Sequence, residues 1–372
     1  MNSKSFYLVI DRYADPDVCF EYQDVRLEIE KRKTDCSDCP RLWVRGRNFD
    51  LELLPTKGLT LGQCRLDGHE LFWEPPIGLI DPDELDLTED GVYINSQPAP
   101  GFEFLKTFAG SVELYGLRNW GMPKQEGSKV LPLHGETSNI PVHSVRGTIS
   151  DNRIEISGAF VCRSFEGNDD IPWYERGTAL FQVIRTLFIT PKESKVRVID
   201  NIINIRTKQQ LPDWGYHITL RPQPGSRLIV PSGQQFNRSG GELPRDFETW
   251  QPAVDDKIRT ETGIIHRNLE IVRNEWGERV YCRLLYPDGR TVKIGVPHSP
   301  YMQTWFCSGG ANSTEFTHPD GTPLFRKNWD GQGLEIGVRA LDHDGNTDPE
   351  VPPNQPLEPQ ASLKIVLEFE VE

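Results

Sequence analysis

No stretch of the sequence approaches the roughly 20 consecutive apolar residues that a helix needs to cross a bilayer. The first apolar run, Phe6 to Ile10, is too short for a signal-peptide core and has no small-residue cleavage site behind it. It reads as a first strand, and the expectation is a cytoplasmic protein. Cysteine is scarce and odd in number, seven in 372 residues, with spacings that do not form a disulfide framework. The one C-x-x-C, Cys36 and Cys39, lacks the second Cys or His pair of a zinc site, since Cys64 stands alone. It reads as a surface turn with two free thiols. Positive charge is also in deficit: 41 Lys and Arg against 55 Asp and Glu give a formal net charge of −14. Such a surface repels phosphate backbones and anionic headgroups, which argues against nucleic acid and membrane partners and leaves a local basic pocket open. Helical periodicity is nearly missing, with a single turn expected over Asp81 to Leu87, where Pro82 takes the first position.

Glycine (32) and proline (29), by contrast, are plentiful and cut the chain into short runs. Several of these alternate apolar and polar residues, the pattern of a half-buried strand. Arg153 to Gly158 pairs with Val145 to Ile149 across Ser150–Asn152. Ala179 to Ile189 and Lys195 to Ile205 form a hairpin around Thr190–Ser194. Arg279 to Tyr286 and Thr291 to Val296 flank Pro287-Asp288-Gly289-Arg290, where Pro presets φ and Gly tolerates its positive range. Ala361 to Glu372 is a last strand with Leu363, Ile365, Leu367 and Phe369 on one face. Many strands, tight turns and few short helices predict an all-β sandwich or barrel. No linker divides the chain, so one domain over 1–372 is expected, with Asp342 to Glu358 as a surface loop.

Four segments place polar groups beside turns and aromatics: Tyr115-Gly-Leu-Arg-Asn-Trp-Gly-Met-Pro123, Leu131-Pro-Leu-His-Gly-Glu-Thr-Ser-Asn-Ile-Pro141, Asp213-Trp-Gly-Tyr-His-Ile-Thr-Leu-Arg-Pro222, and Gly333-Leu-Glu-Ile-Gly-Val-Arg339, preceded by Tyr301-Met-Gln-Thr-Trp305. His134 is followed by glycine, which leaves its imidazole unobstructed; the plain alternative is a histidine bonded to a turn. Asn139 and Arg118 nearby supply the directional donors that sugar hydroxyls need. His217 follows Trp214-Gly-Tyr, and aromatic faces beside a polar group suit a pyranose; the alternative is a histidine at a sheet edge. Glu335 breaks an apolar strand. If Leu334 and Ile336 face one side, Glu335 faces the other with Gly333 and Gly337 and has open space above it; the alternative is a solvent-facing glutamate. His69, His266, His318 and His343 stand in polar, turn-rich contexts and are expected in solvent. His143 and His298, close after prolines, have no distinguishing context.

In this order the segments resemble the aldose 1-epimerase (galactose mutarotase-like) superfamily, and most closely an epimerase-like branch that shares the Leu-Pro-Leu-His-Gly stretch. The likeness runs from Leu51-Glu-Leu-Leu-Pro-Thr-Lys-Gly-Leu59 through Gly68-His-Glu-Leu-Phe-Trp73 to Glu335. It implies a large antiparallel β-sandwich with a sugar cleft on one sheet, and one carbohydrate-binding domain over 1–372. It also implies His217 as general acid, Glu335 as general base and His134 near the anomeric and ring oxygens. Arg118, Asn119, Asn139 and Trp305 are the further candidate substrate contacts. Three positions depart from the branch: Lys57 where arginine is usual, Thr219 where asparagine is common, and Ile336 where proline often follows the glutamate.

Mutarotation takes a proton from the anomeric hydroxyl and gives one to the ring oxygen, so the ring opens and recloses on either face. A His/Glu pair suffices for this, and no metal or organic cofactor is needed. The expected partner is a small-molecule sugar. A non-catalytic sugar-binding protein, or a sugar isomerase or lyase on the same scaffold, is the alternative; a metal would enter only if His134, His217 and Glu335 converge.

Overall fold

The structure, a computed structural model, describes residues 3–10, 20–30, 39–75, 77–82, 91–127, 129–166, 170–253, 259–311, 313–325, 327–339 and 354–372. Two large antiparallel sheets dominate. The smaller has ten strands. From the Ser3–Val9 edge it runs through Ser144–Ser150, Ile154–Arg163, Ala179–Thr190, Lys195–Asn204 and Ser362–Val371 to Thr291–Pro297 and Gly277–Leu285. The larger has twelve, with Arg259–Leu269, Tyr301–Ser308, Gly331–Gly337, Asp213–Leu220, Val112–Leu117 and Thr60–Leu66 adjacent in that order. Helical structure among the described residues is confined to 3-10 turns of three or four residues, such as Glu103–Lys106 and Thr137–Asn139. Among the described residues no helix is long and apolar enough to cross a membrane.

The hairpins form where turn chemistry and alternation place them. Val145 faces Gly158 and Ile149 faces Ile154. Thr190 faces Lys195 across a Pro191–Glu193 turn. Leu285 faces Thr291 around Gly289, which sits at φ 91°. In the last strand Ile365, Leu367 and Phe369 are buried, and Leu363 packs partly buried against the same core.

That core lies between the sheets, where Val196, Leu367 and Ile294 of the smaller meet Leu53, Ile218 and Ile336 of the larger. Each fully buried aliphatic side chain contributes about 1.5–3 kcal/mol, and a one-residue slip would turn a whole strand's set outward, so burial fixes the register. One polar cluster is sealed into this core. The Arg185 guanidinium forks onto Asp200 at 2.8 and 2.7 Å, Tyr216 donates its hydroxyl to Asp200, and all three are about 1% exposed or less. The cluster joins Ala179–Thr190 and Lys195–Asn204 of one sheet to Asp213–Leu220 of the other.

Two expectations are corrected. His266 is buried, not in solvent: its ring nitrogens lie 3.1 Å from Ser232 Oγ and 2.8 Å from Thr304 Oγ1. Its surrounding sequence is polar, but pairing of Arg259–Leu269 with Tyr301–Ser308 encloses it. Cys39 is likewise buried rather than on a surface turn. Cys36, His343, most of Asp81 to Leu87 and most of Asp342 to Glu358 lie outside the described residues.

Candidate active site

A second apolar cluster sits on the opposite face of the larger sheet, away from the sandwich core. It contains Trp73, Phe104, Phe108, Tyr115, Trp120, Tyr301 and Phe325, with Trp329 packed against it. Strand alternation puts odd-numbered residues of Val112–Leu117, Asp213–Leu220, Gly331–Gly337 and Tyr301–Ser308 on this face. The registers then line up a row: Glu113 opposite His217, His217 opposite Glu335, Glu335 opposite Gln303. Two residues along lies the row Tyr115, Gly215, Gly337, Tyr301.

His217 and Glu335 are therefore direct cross-strand neighbours, and Nε2 lies 3.3 Å from Oε1. Both are buried. On the other side of the ring, Nδ1 is 3.1 Å from Thr219 Oγ1. A hydroxyl can accept from a protonated Nδ1 and donate to an unprotonated one, so Thr219 serves His217 in either state. Burial tends to raise the Glu335 pKa, but the charges of His217, His134 and Arg238 and the His217 hydrogen bond outweigh it and hold the carboxyl at about 2. Glu335 is thus a carboxylate across the neutral range.

The two tyrosines flank this pair in matching ways. Tyr115 donates to Glu113 Oε2 at 2.8 Å, and Tyr301 donates to Gln303 Oε1 at 2.6 Å. Burial first, then the nearby carboxylate, Glu113 in one case and Glu335 in the other, push both hydroxyls well above their ordinary pKa. They remain donors. Glu113 also takes the backbone N–H groups of Ala109 and Gly110, each at 3.2 Å, which leaves it as an anchor with both oxygens engaged.

His134 comes from the loop rather than the sheet. Its carbonyl accepts from Gly116 N at 2.8 Å and its own N–H donates to Gly121 at 2.9 Å. The ring stacks on Tyr115 with centroids 4.6 Å apart and planes 14° apart, and its centroid is 6.1 Å from that of His217. Burial lowers its pKa to about 3, against the opposing pull of Glu335. Since this lies below the ordinary 6.5, the unfolded chain takes up the proton first as pH falls. The stability held by a neutral His134 is complete above about pH 6.5 and is lost as pH drops toward 3. In an NMR titration its imidazole is expected to stay neutral down to about pH 4; a transition near 6.5 would contradict this environment.

The glycines play a role opposite to the open space expected of them. A side chain on Gly215 or Gly337 would run into the Trp120 indole, and one on Gly333 into Trp305. The missing Cβ atoms let the indoles lie on the sheet backbone. Asp213 takes the backbone N–H of Trp120 at 3.0 Å and a fork from Arg339 at 2.7 and 2.6 Å, which holds the tryptophan loop in place. Trp305 lies 4.8 Å from the His217 ring and Phe108 4.6 Å, centroid to centroid. Trp214 and Tyr216, expected beside His217, point instead into the inter-sheet core, because their parity is opposite.

Of the sequence-selected residues, His217, Glu335, His134 and Trp305 come together. Arg118, Asn119 and Asn139 engage their polar groups with other parts of the protein. Arg118 pairs with Glu126 at 2.9 Å and Glu136 at 3.6 Å. Asn119 donates to the carbonyls of Met122 and Pro132. Asn139 accepts from the fully buried Lys57 at 2.5 Å and donates to Thr107. Among the described residues no three His, Cys, Asp or Glu side chains are grouped to hold a metal ion. Sequence reading missed Glu113, Gln303 and Arg238. Glu113, in Val112-Glu-Leu-Tyr, carries the same signal as Glu335, a carboxylate interrupting an apolar strand.

Solved structures share this architecture. A candidate aldose 1-epimerase from Klebsiella pneumoniae superposes with a TM-score of 0.70 at 16% identity, covering 100% of this chain and 91% of that one. A galactose mutarotase-like protein from Clostridium acetobutylicum gives 0.53 at 12% identity, covering 94% and 99%. A candidate aldose 1-epimerase from Escherichia coli K12 gives 0.51 at 15%, covering 87% and 96%. The fold is that of the galactose mutarotase-like supersandwich. Residues 39–256, more than half of the chain, match the family described as a domain of unknown function, DUF4432, and the chain belongs to that family. No curated protein matches it significantly.

Proposed function

We propose that this protein binds a sugar on the outer face of its larger sheet and interconverts the sugar's anomers, with His217 and Glu335 as the acid–base pair. The supporting observation is their placement. The anomeric hydroxyl and the ring oxygen are bonded to the same carbon, so the groups that take and give protons must lie within a few ångströms of each other. The 3.3 Å contact between His217 Nε2 and Glu335 Oε1 meets that condition. Glu335 as a carboxylate takes the anomeric proton, and protonated His217 delivers one to the ring oxygen. On reclosure the roles reverse. Neutral His134 can donate or accept toward the sugar oxygens, and Phe108 and Trp305 offer faces to the ring's C–H groups.

The test is anomer exchange of aldoses by NMR exchange spectroscopy. The expected result is acceleration over buffer that scales with protein concentration. Saturable sugar binding, read from tryptophan fluorescence, without acceleration would leave a binding protein in place of an epimerase.

A further inference from the structure

Resting on this reading of the site, we propose that its ligand is an anionic sugar, carrying a carboxylate or phosphate group that Arg238 holds. Arg238 follows the Ser232–Asn237 strand and extends the acid–base row at its far end. Its backbone N–H donates to Gly263, and its Nη1 reaches Gln303 Oε1 at 3.4 Å. Gly263 makes room for the Gln303 side chain, which a Cβ there would strike. Arg238 is close enough to act electrostatically on Glu335, His134 and Tyr301, and it is half-buried. Among the described residues that 3.4 Å contact is the only side-chain hydrogen bond of Arg238, which leaves most of a guanidinium's five N–H donors open to a ligand.

The surrounding inventory points the same way. Among the described residues, the indole N–H groups of Trp73, Trp305 and Trp329 are buried without a hydrogen-bond partner, as is His134 Nδ1. Most side-chain acceptors on this face are engaged, both Glu113 oxygens by Tyr115, Ala109 and Gly110, Gln303 Oε1 by Tyr301 and Arg238, and Glu335 Oε1 by His217, which leaves Glu335 Oε2 open. A buried donor left unmatched is costly. A ligand built only of hydroxyls brings one proton with every oxygen and competes for scarce acceptors. A carboxylate or phosphate brings proton-free oxygens, and a guanidinium is the side chain whose fork matches them.

The experiment titrates D-glucuronate, D-galacturonate, D-glucose 6-phosphate, D-glucose and D-galactose against the wild type, Arg238→Gln and Arg238→Lys, read by calorimetry, with anomer exchange measured separately. At least about tenfold tighter binding of an anionic sugar than of its neutral parent is expected. Arg238→Gln should bring that ratio close to one, with Arg238→Lys between. A preference for uronates or for the phosphate identifies the group. Equal affinity for charged and neutral sugars, a ratio that survives in Arg238→Gln, or no binding across the panel would overturn the proposal. Arg238-dependent anion binding without anomer exchange would remove the epimerase reading and leave this inference standing. Exchange of neutral sugars with no anion preference would do the reverse.

Discussion

Glu335→Gln is expected to slow anomer exchange by about 10²–10⁴-fold, the range that positioned proton transfer contributes. The substitution keeps the side chain's shape and can still meet His217, but it removes the carboxylate proposed to accept the anomeric proton. Sugar binding should persist, because the aromatic faces of Phe108 and Trp305 and the His134 ring are untouched. The informative outcome is thus a fall in kcat with a tryptophan-fluorescence titration that still saturates. His217→Ala should behave alike. Exchange at the wild-type rate in either variant would rule out the pair as the proton carriers.

The largest effect on stability is expected from Asp200→Ala, a loss of about 3–5 kcal/mol by urea denaturation. Arg185 would keep its charge inside the sandwich with the carboxylate gone, and Tyr216 would lose its acceptor. Breaking one half of a buried pair costs more than removing both halves. The combination Arg185→Met, Asp200→Leu, Tyr216→Phe should therefore recover most of the loss. If the single and triple variants unfold alike, packing rather than the stranded charge sets the cost. Tyr216 is the residue before His217 on the same strand, so the single variant should also reduce anomer exchange.

Much of this molecule was legible in the sequence because its signals are local. Alternation marked the strands, and Pro and Gly marked the turns between them. The Glu335 segment announced a carboxylate on the face opposite Leu334 and Ile336. The same rule, applied to Trp214 and Tyr216, puts them on the face opposite His217; proximity along the chain obscured that. Gln303 and Arg238 could not be read, because they meet through the pairing of strand 259–269 with 232–237 on one side and 301–308 on the other, and no local pattern encodes those registers. Arg118, Asn119 and Asn139 show the complementary difficulty. They have the chemistry of sugar ligands, and the loops around the site need that same chemistry to hold their own backbone together.

The direct register of His217 and Glu335 has a consequence for descent. Their separation is set by the hydrogen-bond ladder between two central strands, whereas His134, Trp120 and Arg238 arrive on loops and turns. Lineages can lengthen, shorten or replace those loops, and so change what the face above the sheet accepts, without disturbing the His217–Glu335 spacing. Kinship in this scaffold should accordingly be most visible in the two strands, and divergence of appetite in the loops above them.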